Sequence, residues 1–177
     1  MNDTIYIISG TNRPQAVSLQ IANVYLQEFN ALNVKAEIID LQELPADYLF
    51  SGLYENAGKS EITMNFRKKM KEGKKFVFVI AEYNGSFPGV LKAFIDGLEF
   101  PDSFTNKKCA LVGLSAGEQG AVLAMSHLTD ILNYCGAHVL AQKPKLAMVS
   151  QNMEDGKITN ERYMKHIKLQ VQQLLDF

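Results

Sequence analysis

Apolar positions along the chain switch between two repeats, one fitting a strand and one fitting a helix. Thr4 to Ser9 (TIYIIS) is a short apolar run rich in β-branched residues, the pattern of a buried strand. Ser18 to Leu32 then places Ile21, Ala22, Tyr25, Leu26 and Phe29 on one helical stripe. Lys35 to Leu41 reads as a second strand, and Glu61 to Lys71 as a helix with Ile62, Phe66 and Met70 on one face. A third strand is expected over Lys75 to Glu82. The helix that follows, Gly89 to Leu98, turns Leu91, Phe94, Ile95 and Leu98 inward. Lys108 to Ser115 predicts strand four. Gly120 to Cys135 predicts a helix with Ala124, Leu128, Ile131, Leu132 and Cys135 on its core face and Gly136 as its C-cap. A fifth strand is expected within Ala137 to Met148. A last helix, Glu161 to Leu175, carries Tyr163, Ile167, Val171 and Leu174 in register.

Strands that alternate with helices from end to end specify an α/β fold, a parallel sheet covered on both faces. With right-handed crossovers, five strands are expected in the flavodoxin-like order 2-1-3-4-5, a three-layer sandwich. The 177 residues fit a single domain, 1–177, with no linker or repeat. The longest irregular stretch, Gln42 to Ser60, holds Tyr48, Phe50 and Tyr54. These aromatics are expected either to cover a ligand or partner subunit or to pack on the neighbouring helix.

Charge narrows the function. The formal net charge is −1, which speaks against non-specific nucleic-acid binding and against the acidic face of a docking electron carrier. Cys109 and Cys135 sit in apolar runs without ligand spacing, so reduced thiols are expected and a metal site is not. The start of the chain has no basic segment of a secretion signal, and no apolar run reaches membrane-spanning length. A cytoplasmic enzyme or binding protein is the expectation.

In 2-1-3-4-5 order the sheet reverses between strands one and three, and a crevice opens at the strands' carboxyl ends. Three loops line it: SGTNRPQAVS, EYNGSFPG and SAGEQG. The first leads into a helix start, where free amides and the dipole favour an anion. Thr11, Asn12 and Ser18 offer donors there, and Arg13 a forked guanidinium suited to phosphate. A plain capping loop with Ser18 as N-cap is the competing account. In the second loop, Asn84 and Gly85 permit positive φ, so backbone amides can point outward, and Tyr83 offers an aromatic face. In the third, Ser115, Ala116 and Gly117 precede Glu118, whose charge suits a neutral ring edge better than a second phosphate. A monophosphate joined to a flat heterocycle fits this set.

GTNRPQAVS followed by IA, EYNGSFPGVLKAFIDGLE and GLSAGEQGA, in this order and spacing, resemble the NADPH-dependent FMN reductases, flavodoxin-like proteins that include quinone, azo-dye and chromate reductases. The resemblance implies FMN as cofactor and NADPH or NADH as co-substrate, with hydride passing through the flavin to a small acceptor by a ping-pong route. It implies that Thr11, Arg13 and Ser18, with Asn12 beside them, hold the phosphate. Glu82, Tyr83, Asn84 and Gly85 then approach the ring, and Ser115, Ala116 and Gly117 flank its other edge. It also implies a homodimer or homotetramer. Three positions depart from the family's pattern. Ala16 stands where a hydrogen-bonding side chain is usual, implying weaker FMN retention. Ala81 stands where proline is usual, implying a looser second loop, and Ala121 replaces the second glycine of a pair.

The flavin carries the chemistry in this reading, so no catalytic side chain is named. Glu82 is expected to form a structural or interface ion pair, and His127, His138 and His166 to be structural. Two other classes remain open on the sequence: a flavodoxin-type electron carrier, and a flavin- or nucleotide-binding protein without turnover. Phe87, Val90, Phe100, Val122 and Met125 lie beyond a single core stripe, which favours an oligomer over the alternative that they cover the sheet edge.

Overall fold

A computed structural model describes residues 4–54 and 59–177; residues 55–58 of the long loop, and the first three residues, lie outside it. Strands β1 (Ile5–Ser9), β2 (Ala36–Asp40), β3 (Lys75–Ala81) and β4 (Lys108–Leu114) are parallel, and with β5 (His138–Val139) they run in the order β2-β1-β3-β4-β5. Ser9 pairs with Asp40 on one side and Val79 on the other, so β1 and β3 are central and buried along their length.

The two-residue repeat of the strands sorts their side chains into two cores. Val77, Val79, Ala110 and Val112 face helices α1 (Val17–Ala31) and α5 (Glu161–Asp176). Phe76, Phe78, Ile80 and Leu111 face α2 (Glu61–Glu72), α3 (Gly89–Asp96) and α4 (Val122–Tyr134). The boundaries fall within three residues of those expected. At the end of α4, Gly136 takes φ of 85° and the Ala137 amide closes back on Leu132 at 2.9 Å, as the C-cap reading requires. Cys109 lies in the second core, where burial pushes its thiol well above the ordinary value.

The fifth strand is split. β5 pairs Val139 with Cys109, and β6 (Lys145–Leu146) pairs Lys145 with Gly113. The intervening chain leaves the ladder, and a side chain from α5 takes its place. Gln170, fully buried, donates from Nε2 to Leu111 O at 2.8 Å and to Gln142 O at 2.6 Å. Its Oε1 accepts from Tyr25 Oη at 2.5 Å. A buried carbonyl that β-pairing abandons must find another donor, and Gln170 supplies it.

Helix ends near the amino ends of β3 and β4 are closed by lysines. Lys107 Nζ donates to Lys71 O at 2.6 Å and Gly73 O at 2.7 Å, at the end of α2. Lys75 Nζ donates to Leu175 O at 2.6 Å in the last turn of α5. Cations suit these positions because the unpaired carbonyls and the helix dipole are both negative there. After β2 come a short 3₁₀ turn (Leu41–Glu43) and a π-helical turn (Tyr48–Gly52). Tyr48 packs on Gly97, where an added Cβ would clash with its hydroxyl, while Phe50 and Tyr54 stand in solvent. The three loop aromatics therefore divide, with only Tyr48 packed inward. Among the described residues no helix is long and apolar enough to cross a membrane.

Replacing Gln170 by Leu keeps most of the volume but leaves the Tyr25 hydroxyl and two carbonyls unpaired. Each buried orphan costs about 1–3 kcal/mol. Urea denaturation should therefore show Gln170→Leu destabilised by at least about 2 kcal/mol. A change inside the scatter of a surface substitution would mean that β4 does not depend on this side chain.

Candidate functional site

The first loop leaves β1 where the strand lies close against β3. The Gly10 amide donates to Val79 O at 3.0 Å, and a Cβ on Gly10 would sit 2.8 Å from that oxygen. Only glycine fits there. Thr11 is buried behind the turn, while Asn12, Arg13, Pro14 and Gln15 are exposed. Gln15 holds φ of 54°, and α1 begins two residues later at Val17. The N-cap of α1 is Ala16, which has no side-chain oxygen and makes no side-chain cap. Ser18 does not cap the helix. It is the second helical residue, buried, with its Oγ 3.4 Å from Ser9 Oγ.

A fifteen-residue helix thus starts without a side-chain cap or an acidic residue in its first turn. Its free amides and positive dipole end face the crevice. Arg13 stands beside them, and among the described residues no carboxylate pairs with it. This is an anion site by its chemistry.

The second loop is a two-residue turn. Tyr83 and Ser86 exchange hydrogen bonds at 2.8 and 3.0 Å, with Asn84 at φ 51° and Gly85 at φ 77°. Positive φ at both central residues is what such a turn demands, and the turn's own bonds leave the Asn84 and Gly85 amides unused. A Cβ on Gly85 would meet nothing within 4 Å, so backbone conformation and not crowding calls for glycine. Ala81 does not loosen this loop. It remains in the ladder opposite Leu114, and the Glu82 amide extends the pairing to Leu114 O at 3.0 Å. Tyr83 reaches back across the crevice, its Oη 3.0 Å from Thr11 Oγ1.

Ser115 shapes the third loop. Its Oγ donates to Gly117 O at 2.7 Å and accepts from the Gly120 amide at 2.9 Å. Gly120 and Ala121 both take positive φ, 58° and 61°. Ala121 therefore occupies a left-handed position with its methyl buried, at the place where a second glycine was expected. The chain beyond β6 closes this side, with Val149 N donating to Ser115 O at 3.0 Å.

A cavity of about 330 Å³ gathers Thr11, Arg13, Ser18, Glu82, Tyr83, Ser115 and Ala116 from three loops far apart in sequence. Asn12, Asn84, Gly85 and Gly117 lie on the same loops without lining it. Glu82 forms no ion pair among the described residues and lines the cavity instead. Gln15 and Val149 are lining residues that the sequence reading did not name. Gln15 stood in the quoted loop, but Val149 follows a split strand that no motif marks. His127 ties α4 to the second loop through Nδ1, 3.0 Å from Ser86 Oγ. Larger cavities, of about 470 and 490 Å³, lie along β6, but neither is lined by the first two loops. No cluster of metal-binding side chains occurs among the described residues.

The sequence pattern of the NADPH-dependent FMN reductases matches residues 4–151. An NAD(P)H-dependent FMN reductase of Pseudomonas aeruginosa is 28% identical over 180 residues, covering 98% of this chain and 95% of that one. A 2-hydroxy-1,4-benzoquinone reductase of a Burkholderia species is 26% identical, covering 93% of this chain and 90% of its own. Among solved structures, the flavoenzyme NAD(P)H:(acceptor) oxidoreductase FerB of Paracoccus denitrificans superposes with a TM-score of 0.80 at 21% identity, over 98% of this chain and 96% of that one. Three loops meeting at the sheet's reversal point, an uncapped helix start facing them, and a match running from β1 to the end of the crevice wall agree: the chain belongs to the NADPH-dependent FMN reductase family.

Proposed function

We propose that this protein is an FMN-dependent NAD(P)H oxidoreductase whose single domain binds FMN in the crevice and serves a nicotinamide and an acceptor in turn. The observation that carries the reading is the start of α1: free amides, no acidic residue in the first turn, and Arg13 beside them with no carboxylate partner among the described residues. When bound, FMN supplies the redox chemistry, taking hydride from NADPH or NADH and giving electrons to a small acceptor. The chain's residues bind and orient. Arg13 and the α1 amides hold the phosphate, with Asn12 at the rim. The Thr11 hydroxyl, which lies 3.0 Å from Tyr83 Oη, would donate to the phosphate. Ser18 supports the loop from behind. Glu82, Tyr83, Asn84 and Gly85 would approach the ring on one side, and Ser115, Ala116 and Gly117 would flank its other edge. The open side of the crevice admits the two substrates one after the other. The relative that reduces a hydroxybenzoquinone makes a quinone the acceptor class to try first. A cytoplasmic location belongs to the same proposal.

The protein is further proposed to be a homodimer or homotetramer. Phe100 and Leu123 are 72% and 59% exposed, and Val122 lies near Leu123 on the surface of α4. Met125, in contrast, is buried, and Phe87 and Val90 pack against the core. Of the five positions the sequence singles out, only Phe100 and Val122 remain exposed, so that apolar excess is smaller than the sequence implies. Sedimentation at micromolar concentration should give at least twice the 19.8 kDa chain mass. A species at the chain mass overturns the assembly.

Arg13→Ala removes a charge-assisted bond of about 1.5–3 kcal/mol. FMN should then bind roughly 10- to 100-fold more weakly. Riboflavin shares the ring and lacks the phosphate, so its affinity should hold. Equal losses for both ligands in a fluorescence titration would place Arg13 at the ring or in the fold. No loss for either would move the phosphate elsewhere.

Function itself is read by adding NADPH anaerobically to the FMN-loaded protein. Rapid bleaching without a second protein is expected. Bleaching only after a separate reductase is supplied would make the chain a carrier, and failure to hold any flavin would make it neither.

A further inference from the structure

Beside the crevice, β6 and α5 wall the cavity of about 490 Å³. Lys143, Lys145, Arg162 and His166 converge on it with Gln119, and Glu118 is its one carboxylate. Among the described residues none of these basic side chains is paired with a carboxylate or a carbonyl. The contrast with other lysines is plain. Lys92 pairs with Asp96 and Lys71 with Glu99 and Asp102, while Lys75 and Lys107 close helix ends. Lys143 is partly withdrawn from water, and burial holds its ammonium below the ordinary value. Gathering unpaired cations around one hollow costs stability and suits an anion. Glu118 is exposed, as are Lys145 and Arg162, so solvent screens all three, and Lys143 and His166 are the more buried of the basic groups.

The hollow adjoins the crevice along two walls. Ala116 lines the crevice and Glu118 the hollow, two residues apart on one loop. Val149 and Ala147 stand in the same relation on the chain beyond β6. Two residues of extended chain span at most about 7 Å. A ligand of dinucleotide length with one end in the crevice therefore reaches the hollow with the other.

We propose that this hollow takes the 2′-phosphate of NADPH, with Lys143 and Arg162 as its main ligands and Lys145 and His166 beside them. The proposal rests on the crevice being the flavin site. A phosphomonoester presents several oxygens and near-double charge, which a guanidinium fork and an ammonium bind well. The 2′-hydroxyl of NADH offers these cations no charge. In nucleotide-binding α/β folds an arginine serves the same distinction. The hollow thus sets NADPH above NADH.

Calorimetric titration of the FMN-loaded protein with adenosine 2′,5′-bisphosphate and with 5′-AMP tests this without turnover. The wild type should bind the bisphosphate roughly 10-fold or more tightly than 5′-AMP, a charged contact's worth. Lys143→Gln and Arg162→Gln should each remove most of that preference. Lys157→Gln, which deletes the same charge from an exposed site on the β7–β8 hairpin (Met153–Glu154 with Lys157–Ile158), should keep it. In steady state the first two variants should raise KM for NADPH roughly 10-fold, leaving KM for NADH and kcat within about twofold. Indifference of the wild type to the 2′-phosphate, variants that bind like wild type, or equal losses for both dinucleotides would each overturn the assignment. Titrating FMN into the same proteins separates the two readings. Tight FMN binding with no 2′-phosphate preference overturns this proposal alone, and a wild type that holds no FMN overturns both.

Discussion

A parallel sheet covered on both faces leaves its backbone no access to water, so every buried donor and acceptor needs an internal partner. Most of this molecule's less obvious features follow from that demand. Gln170 exists in the core because β5 and β6 abandon the middle of β4. Lys107 and Lys75 reach the ends of α2 and α5 because their last carbonyls are otherwise unmet. Helix starts are treated otherwise: among the described α-helices only α5 has a side-chain cap, from Asn160. At the start of α1 the N-cap is alanine, and no side chain satisfies the first amides. What sets α1 apart is its place: its free donors line the crevice where the sheet reverses, beside Arg13.

The backbone around that point is bent as well. Gln15, Asn84 and Met148 hold positive φ without being glycine, and so does Ala121 at the start of α4. Such conformations cost about a kcal/mol or more each and persist only where surrounding contacts impose them. Here the contacts are visible: the reciprocal bonds of Tyr83 and Ser86, the double use of the Ser115 hydroxyl, and the Met148 amide on Gly117 O at 2.9 Å. The loops are held in shape by the scaffold, so a ligand meets amides already aimed. Affinity is gained by not having to order them.

Electrostatics divides the surface by strand polarity. At the amino ends of β3 and β4, lysines are spent on helix carbonyls and acidic neighbours. Toward the carboxyl ends, Arg13, Lys143, Lys145 and Arg162 lack such partners among the described residues. A near-neutral chain can therefore attract anions to one edge without the overall positive charge that would draw it to nucleic acid.

Periodicity alone determined the layers and the strand order, because a two-residue repeat in buried strands and a 3.6-residue repeat in helices admit few packings. It also brought the three loops to one edge, since parallel strands must all end on the same side. The roles inside those loops were not so readable. Ser18 had the right side chain for a cap, and the tertiary structure instead turned it toward Ser9, leaving the cap position to Ala16. Glu82 looked like a partner for a cation, and the fold offered it none among the described residues. The split of the fifth strand depends on Gln170, 28 residues from Gln142 in sequence, and the cationic hollow on Lys143 and Arg162 meeting across β6 and α5. Local pattern records which face a residue presents to the core. Which partner awaits a polar group is decided by elements that arrive from elsewhere in the chain, and only the folded structure contains that information.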